Sequence, residues 1–141
     1  MTDKYFLDTN ILVYMFSRDD PEKKEICFQY TNELDANGQI FWSTQVIQEF
    51  YSILTKKFDK DPLEVKASIS DLGSFHLITN NLETIQHAID IQILNKISFG
   101  DALIISAAKQ ANCNYLLSED LGHGQLIAGI RVVSPFDKMD F

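Results

Sequence analysis

The chain has 141 residues, 45% of them hydrophobic and 11% aromatic, enough to bury the core of one compact domain. Its formal charge of −8 excludes nucleic-acid binding by general surface electrostatics, which depends on clustered Lys and Arg. No run approaches the roughly 18 to 20 apolar residues of a membrane helix, and the opening MTDKYFLD lacks the basic and apolar regions of a signal peptide. One soluble, cytoplasmic domain over residues 1–141 with no membrane association is the expectation.

In chain order, KYFLDT (4–9) reads as a short buried strand and NILVYMFS (10–17) as a helix with Asn10 as its N-cap. DDPEKKEICFQYTNELDANG (19–38) is a second helix, opened by acid-proline and closed by Asn37-Gly38. QIFWST (39–44) is a second strand. Ser43 or Thr44 then caps a helix to about Phe58, with Val46, Ile47, Phe50, Ile53 and Leu54 recurring as an apolar stripe. Pro62 opens a helix through Leu72, SFHLIT (74–79) is a third strand, and 81–97 and 101–113 are helical, with Gly100 just before the latter. YLLS (115–118) is a fourth strand and IRVVSP (130–135) a fifth. Strands alternating with helices predict an α/β/α sandwich around a mostly parallel sheet of four to five strands.

In such a sheet, ligands gather beyond the carboxyl ends of the strands. Asp8 follows YFL and Asp120 follows YLLS, so parallel strands bring both acids to one edge. Asp101 opens an apolar helix, where an N-cap or first-turn acid favoured by the helix dipole is the simpler explanation. Glu49 lies on the margin of the Val46–Phe50–Ile53 stripe, where Lys56 or Lys57 is the obvious competing partner. Carboxylates gathered at one rim repel and raise each other's pKa unless a cation compensates them. Hard oxygen ligands favour Mg²⁺ or Mn²⁺, and no His or Cys accompanies them at zinc-like spacing. Such a cluster suits phosphodiester hydrolysis, and its metals would make an acidic pocket attractive to phosphate.

At these residues the chain resembles the PIN-domain ribonucleases, and among them the VapC-like toxins of toxin–antitoxin pairs. The likeness is carried by FLDTNILVY, STQVIQEFY, FGDALIISAAK and YLLSEDLGHG, in that order across nearly the whole chain. It implies a Mg²⁺- or Mn²⁺-dependent endoribonuclease with Asp8, Glu49, Asp101 and Asp120 as its acids. Asp8, Asp101 and Asp120 would bind metal, while Asn10 and Ser118 orient the ligands or an ordered water. It also implies an RNA substrate, a homodimer and a small antitoxin whose basic residues would complement the charge.

Glu119 competes with Asp120 for the last acidic position, because neighbours on an extended segment point to opposite sides. The motif favours Asp120 and leaves Glu119 peripheral or an outer ligand through water. His123, between two glycines, is either a phosphate or proton-transfer group or a plain loop residue. His76 and His87 are expected at the surface or core edge, Phe41 and Trp42 in the core, and Cys27 and Cys113 as free thiols in apolar surroundings. Tyr14, Phe16 and Tyr51 are candidates for a partner groove. An aspartyl-nucleophile phosphatase needs a second Asp two residues after the first, where this chain has Asn10. Some PIN proteins mature or degrade RNA without an antitoxin, so a PIN-fold RNA-processing nuclease of that kind fits the same motifs. A non-catalytic PIN-fold binding module is expected to lack one or more of the acids, and all four are present.

Overall fold

The structure, a computed structural model, describes residues 3–137. Its elements are β1 (Tyr5–Leu7), α1 (Thr9–Phe16), α2 (Pro21–Asp35), β2 (Ile40–Ser43), α3 (Thr44–Lys56), α4 (Pro62–Asp71), β3 (His76–Ile78), α5 (Leu82–Asn95), α6 (Phe99–Gln110), β4 (Tyr115–Leu117), β5 (Leu126–Ile127) and β6 (Ile130–Val133). The strands form one sheet in the order β3-β2-β1-β4-β6-β5. Every pairing is parallel except that of β5 with β6.

The central strands are short and apolar because helices cover both faces of a parallel sheet. Phe6, Leu7, Leu116, Leu117 and Val132 are fully buried there. On α3, Val46, Phe50 and Leu54 recur every fourth position and point into the core, leaving Ile47 and Ile53 partly covered. Helix α6 is buried almost all round, and the small side chains of Ala102, Ala107 and Ala108 let it pack closely. It contacts β2, β4 and β6, and α5 packs beside it.

Each of the six helices among the described residues has a polar side chain closing its first turn. The caps are Asp8, Asp20, Ser43, Asp61, Asn81 and Ser98, with proline opening α2 and α4. Two of these differ from expectation. Asp8 rather than Asn10 caps α1, because the chain turns helical at Thr9, directly after the strand. Helix α6 starts at Phe99 under a Ser98 cap, so Gly100 lies inside its first turn and Asp101 in the third helical position.

The sheet has six strands, one more than the upper expectation. Strand β5 holds only two residues and forms a hairpin with β6 through Ala128 and Gly129, at φ 50° and 87°. Both turn residues are left-handed, as a two-residue hairpin of this twist requires. Alanine in the first of them gives none of the usual Asn-Gly signal. Cys27 and Cys113 are free and buried, and burial raises both thiols to about 12.

Leu116 lies between β1 and β6 in the middle of the sheet. Leu116→Ala is expected to lower the unfolding free energy by about 2–5 kcal/mol, the cost of lost burial plus a cavity. Urea unfolding followed by circular dichroism measures it.

Candidate active site

The strand order reverses at β1: the chain first adds β2 on one side of it and later β4 on the other. The crevice beyond the carboxyl ends of β1 and β4 is thus the topological switch point, where α/β sheets place their ligands. A cleft of about 460 Å³ opens there. Asp8, Asn10, Glu49, Asp101 and Asp120 all line it, together with Thr9, Tyr14, Lys57 and Phe58. The four acids come from the end of β1, the second turn of α3, the first turn of α6 and the segment after β4.

Asp8 is the most enclosed of them, with only 6% of its surface exposed. Its Oδ1 accepts the Thr9 backbone N–H at 2.8 Å. Its Oδ2 accepts the Ser118 hydroxyl at 2.7 Å and the Asn10 amide at 3.4 Å. Burial drives its pKa up to about 6; the bonds from Ser118 and Thr9 pull the other way, and the charges of Asp120 and Asp101 add to the rise. Ser118 serves two neighbours, since its oxygen also accepts the Asp120 backbone N–H at 3.2 Å.

Glu49 is exposed to the cleft and its Oε1 accepts the Thr9 hydroxyl at 2.8 Å. That contact replaces the Lys56 or Lys57 partner that the helix alone suggested. Thr9 is therefore a bridge between Asp8 and Glu49 that the sequence did not single out. Its neighbour Asp8 carried the signal, and its own role depends on a helix residue 40 positions away. At the far end of the cleft, the Asp101 backbone N–H bonds to Ser98 Oγ at 3.1 Å, and Gln45 of α3 donates to the Gly100 carbonyl at 3.1 Å. These bonds tie the first turns of α3 and α6 together.

Glu119 and His123 are not among the residues lining the cleft. The Glu119 carboxylate turns to the α1–α2 side, where it accepts Tyr14 Oη and Lys23 Nζ, each at 2.5 Å. Partial burial raises its pKa, but the bonds from Lys23 and Tyr14 outweigh that and hold it below the usual carboxylate value. His123 is largely buried, and its Nδ1 accepts the Ser134 backbone N–H at 2.9 Å, joining the loop after β4 to the end of β6. His76 sits at the exposed start of β3 with Nε2 3.0 Å from the Gly38 carbonyl, and His87 is exposed on α5. Of the aromatic trio, Tyr14 reaches the cleft, Phe16 packs edge-on to Phe50, and Tyr51 is exposed.

The cleft offers oxygen donors and no thiol or imidazole, a set that fits a hard divalent cation. As the side chains stand, no three acidic, histidine or cysteine groups among the described residues converge closely enough to hold an ion. No helix among the described residues is long and apolar enough to cross a membrane.

Fold and cleft together define a parallel α/β domain with an acidic site at its switch point. The family model of the PIN domain matches residues 5–126, and the chain belongs to the PIN-domain family. No curated protein matches it. Among solved structures, it is similar to VapC20 of Mycobacterium tuberculosis, described as a sarcin-ricin loop cleaving toxin: 15% identity, 83% of this chain and 90% of that one covered, TM-score 0.67. A toxin–antitoxin complex from Klebsiella pneumoniae has 21% identity, coverage of 95% and 99%, and TM-score 0.71. DNA-bound VapBC from Salmonella typhimurium has 16% identity, the same coverage and TM-score 0.71.

Because the folded protein holds the Asp8 proton more tightly than the unfolded chain, its contribution to stability is complete below pH 3.8 and is lost as pH rises through about 6. With EDTA present, the stability of the wild type is expected to fall between about pH 4 and 6 relative to Asp8→Asn. At about pH 7 the variant should be the more stable by up to about 3 kcal/mol. Denaturant titrations across this pH range measure both effects.

Proposed function

We propose that this protein is a metal-dependent endoribonuclease that acts as the toxin of a toxin–antitoxin pair. The observation that carries the reading is the meeting of Asp8, Glu49, Asp101 and Asp120 in one cleft at the switch point of the sheet. Asp8, Asp101 and Asp120 would hold Mg²⁺ or Mn²⁺, and Glu49 completes the acidic set by ligation or through water. Bound there, the ion supplies positive charge against the phosphate and a more acidic water.

The chain's own groups prepare this cleft. Ser118 and the Thr9 amide fix both oxygens of Asp8, and Asn10 approaches the second from the α1 side. Thr9 holds Glu49 from the opposite element. Lys57 places one cation on a lining otherwise rich in carboxylates, and Tyr14 and Phe58 offer flat faces to unpaired bases. Water attack on phosphorus with departure of the 3′ oxygen leaves 5′-phosphate and 3′-hydroxyl ends.

The toxin role is supported by the toxin and toxin–antitoxin identities of the structural relatives. A basic antitoxin segment is complementary to the charge of −8 and to the acidic cleft. A homodimer in solution and residence in the cytoplasm belong to the same reading.

RNA cleavage is expected with Mg²⁺ or Mn²⁺, to vanish with EDTA, and to fall at least about 100-fold in Asp8→Asn and Asp120→Asn. End-labelled substrates read both the rate and the product termini. Metal-independent cleavage, or an unaffected Asp8→Asn, defeats the mechanism. For the biological role, expression should arrest growth and co-expression of the adjacent small gene should relieve the arrest; absence of both effects excludes the toxin.

A further inference from the structure

We propose that Lys23 is a positioning residue for Asp120: with Tyr14 it clamps the Glu119 side chain and so keeps the next carboxylate in the chain facing the cleft. The inference rests on the proposed metal site.

After Leu117 the strand ladder ends, and Asp120 stands in an irregular segment. Among the described residues, its backbone N–H is met by the Ser118 hydroxyl alone, at 3.2 Å. The preceding residue is held far more firmly. The Glu119 backbone N–H donates to Asn10 Oδ1 at 3.2 Å, while its two carboxylate oxygens separately accept Tyr14 Oη and Lys23 Nζ. Asn10 and Tyr14 lie four residues apart, hence on one face of α1. The chain bends at Glu119 and Asp120, with Asp120 lining the cleft and Glu119 outside it, so fixing the Glu119 side chain and backbone against α1 and α2 holds the bend that presents Asp120 to the cleft.

Lys23 is an unusual choice for its position. It occupies the first turn of α2, where the positive end of the helix disfavours a cation. The Glu119 carboxylate compensates it, and the Tyr14 hydroxyl accepts a second bond from Nζ at 3.3 Å. Its Nζ also lies 4.9 Å from the ring centres of both Tyr14 and Phe136, which meet edge to face at 5.5 Å. One side chain thus gathers α1, α2, the segment after β4 and the segment after β6. The Lys23 and Glu119 side chains are about one third exposed, so such a pair contributes little to global stability. Its effect falls on where Glu119 points, and through it on Asp120.

Binding of Mn²⁺ to the full chain without RNA, followed by electron paramagnetic resonance, tests this. Wild type should bind and Asp120→Asn should not. Lys23→Met should keep a near wild-type Tm yet bind Mn²⁺ about 10-fold more weakly, and Lys23→Arg should restore most of the affinity. Tyr14→Phe, which removes one hydroxyl, supplies the comparison if Lys23→Met fails to fold, and should also weaken binding. Wild-type affinity in the clamp variants, or no rescue by arginine, overturns the clamp while the site reading survives. If wild type takes up no Mn²⁺, or Asp120→Asn binds it normally, the site reading fails and the clamp with it.

Discussion

The buried carboxylate of Asp8 is the constraint around which the rest is arranged. It sits at the end of a central strand, where water is scarce, and a charge there must be met by donors. The chain answers locally and at long range: Thr9 donates as α1 begins, and Ser118 donates across the sheet from the end of β4. The same oxygens that close the first turn of a helix are thus offered to the cleft. Burial still wins over the donors, which is why the acid holds its proton to about pH 6.

Around this group the sheet topology sets the remaining geometry. Strands β1 and β4 are neighbours although they are far apart in the chain, and their ends deliver Asp8 and Asp120 to the same crevice. Helices α3 and α6 begin beside it, joined by the Gln45 bond to Gly100, and bring Glu49 and Asp101. An overall negative chain with its acids gathered in one cleft would repel RNA. In the proposed function, a divalent cation reverses that sign only where chemistry occurs.

Much of this was legible in the sequence because it depends on local rules. Apolar triplets ending in acid marked β1 and β4, and a period near 3.6 marked the buried face of α3. Asp8 and Asp120 emerge in the cleft because parallel strands carry their ends to one edge, as the alternation of strands and helices suggested. Asp101 read locally as an ordinary first-turn acid, and it reaches the cleft because α6 begins beside them. What was not legible depends on encounters between distant segments. Nothing near Glu49 pointed to Thr9, and within PEKKE nothing distinguished Lys23 from Lys24. Strand β5 was hidden because two residues carry no periodicity and its turn lacks the expected asparagine. Asn10 read as a helix cap because Asp8 had been given to the strand; one residue serves the end of the strand and the start of the helix together.

The spread of the acids along the chain has a consequence for synthesis. Asp8 leaves the ribosome early, but its partner across the sheet is 110 positions further on, and Asp120 lies beyond that. Contacts of such separation form late in folding. No nascent fragment short of β4 contains the complete acidic set, and any segment that competed for β1 would delay it. Under the proposed function, a host cell making this chain meets an inert polypeptide until its last quarter is in place, which gives a binding partner time to be present when the cleft first closes.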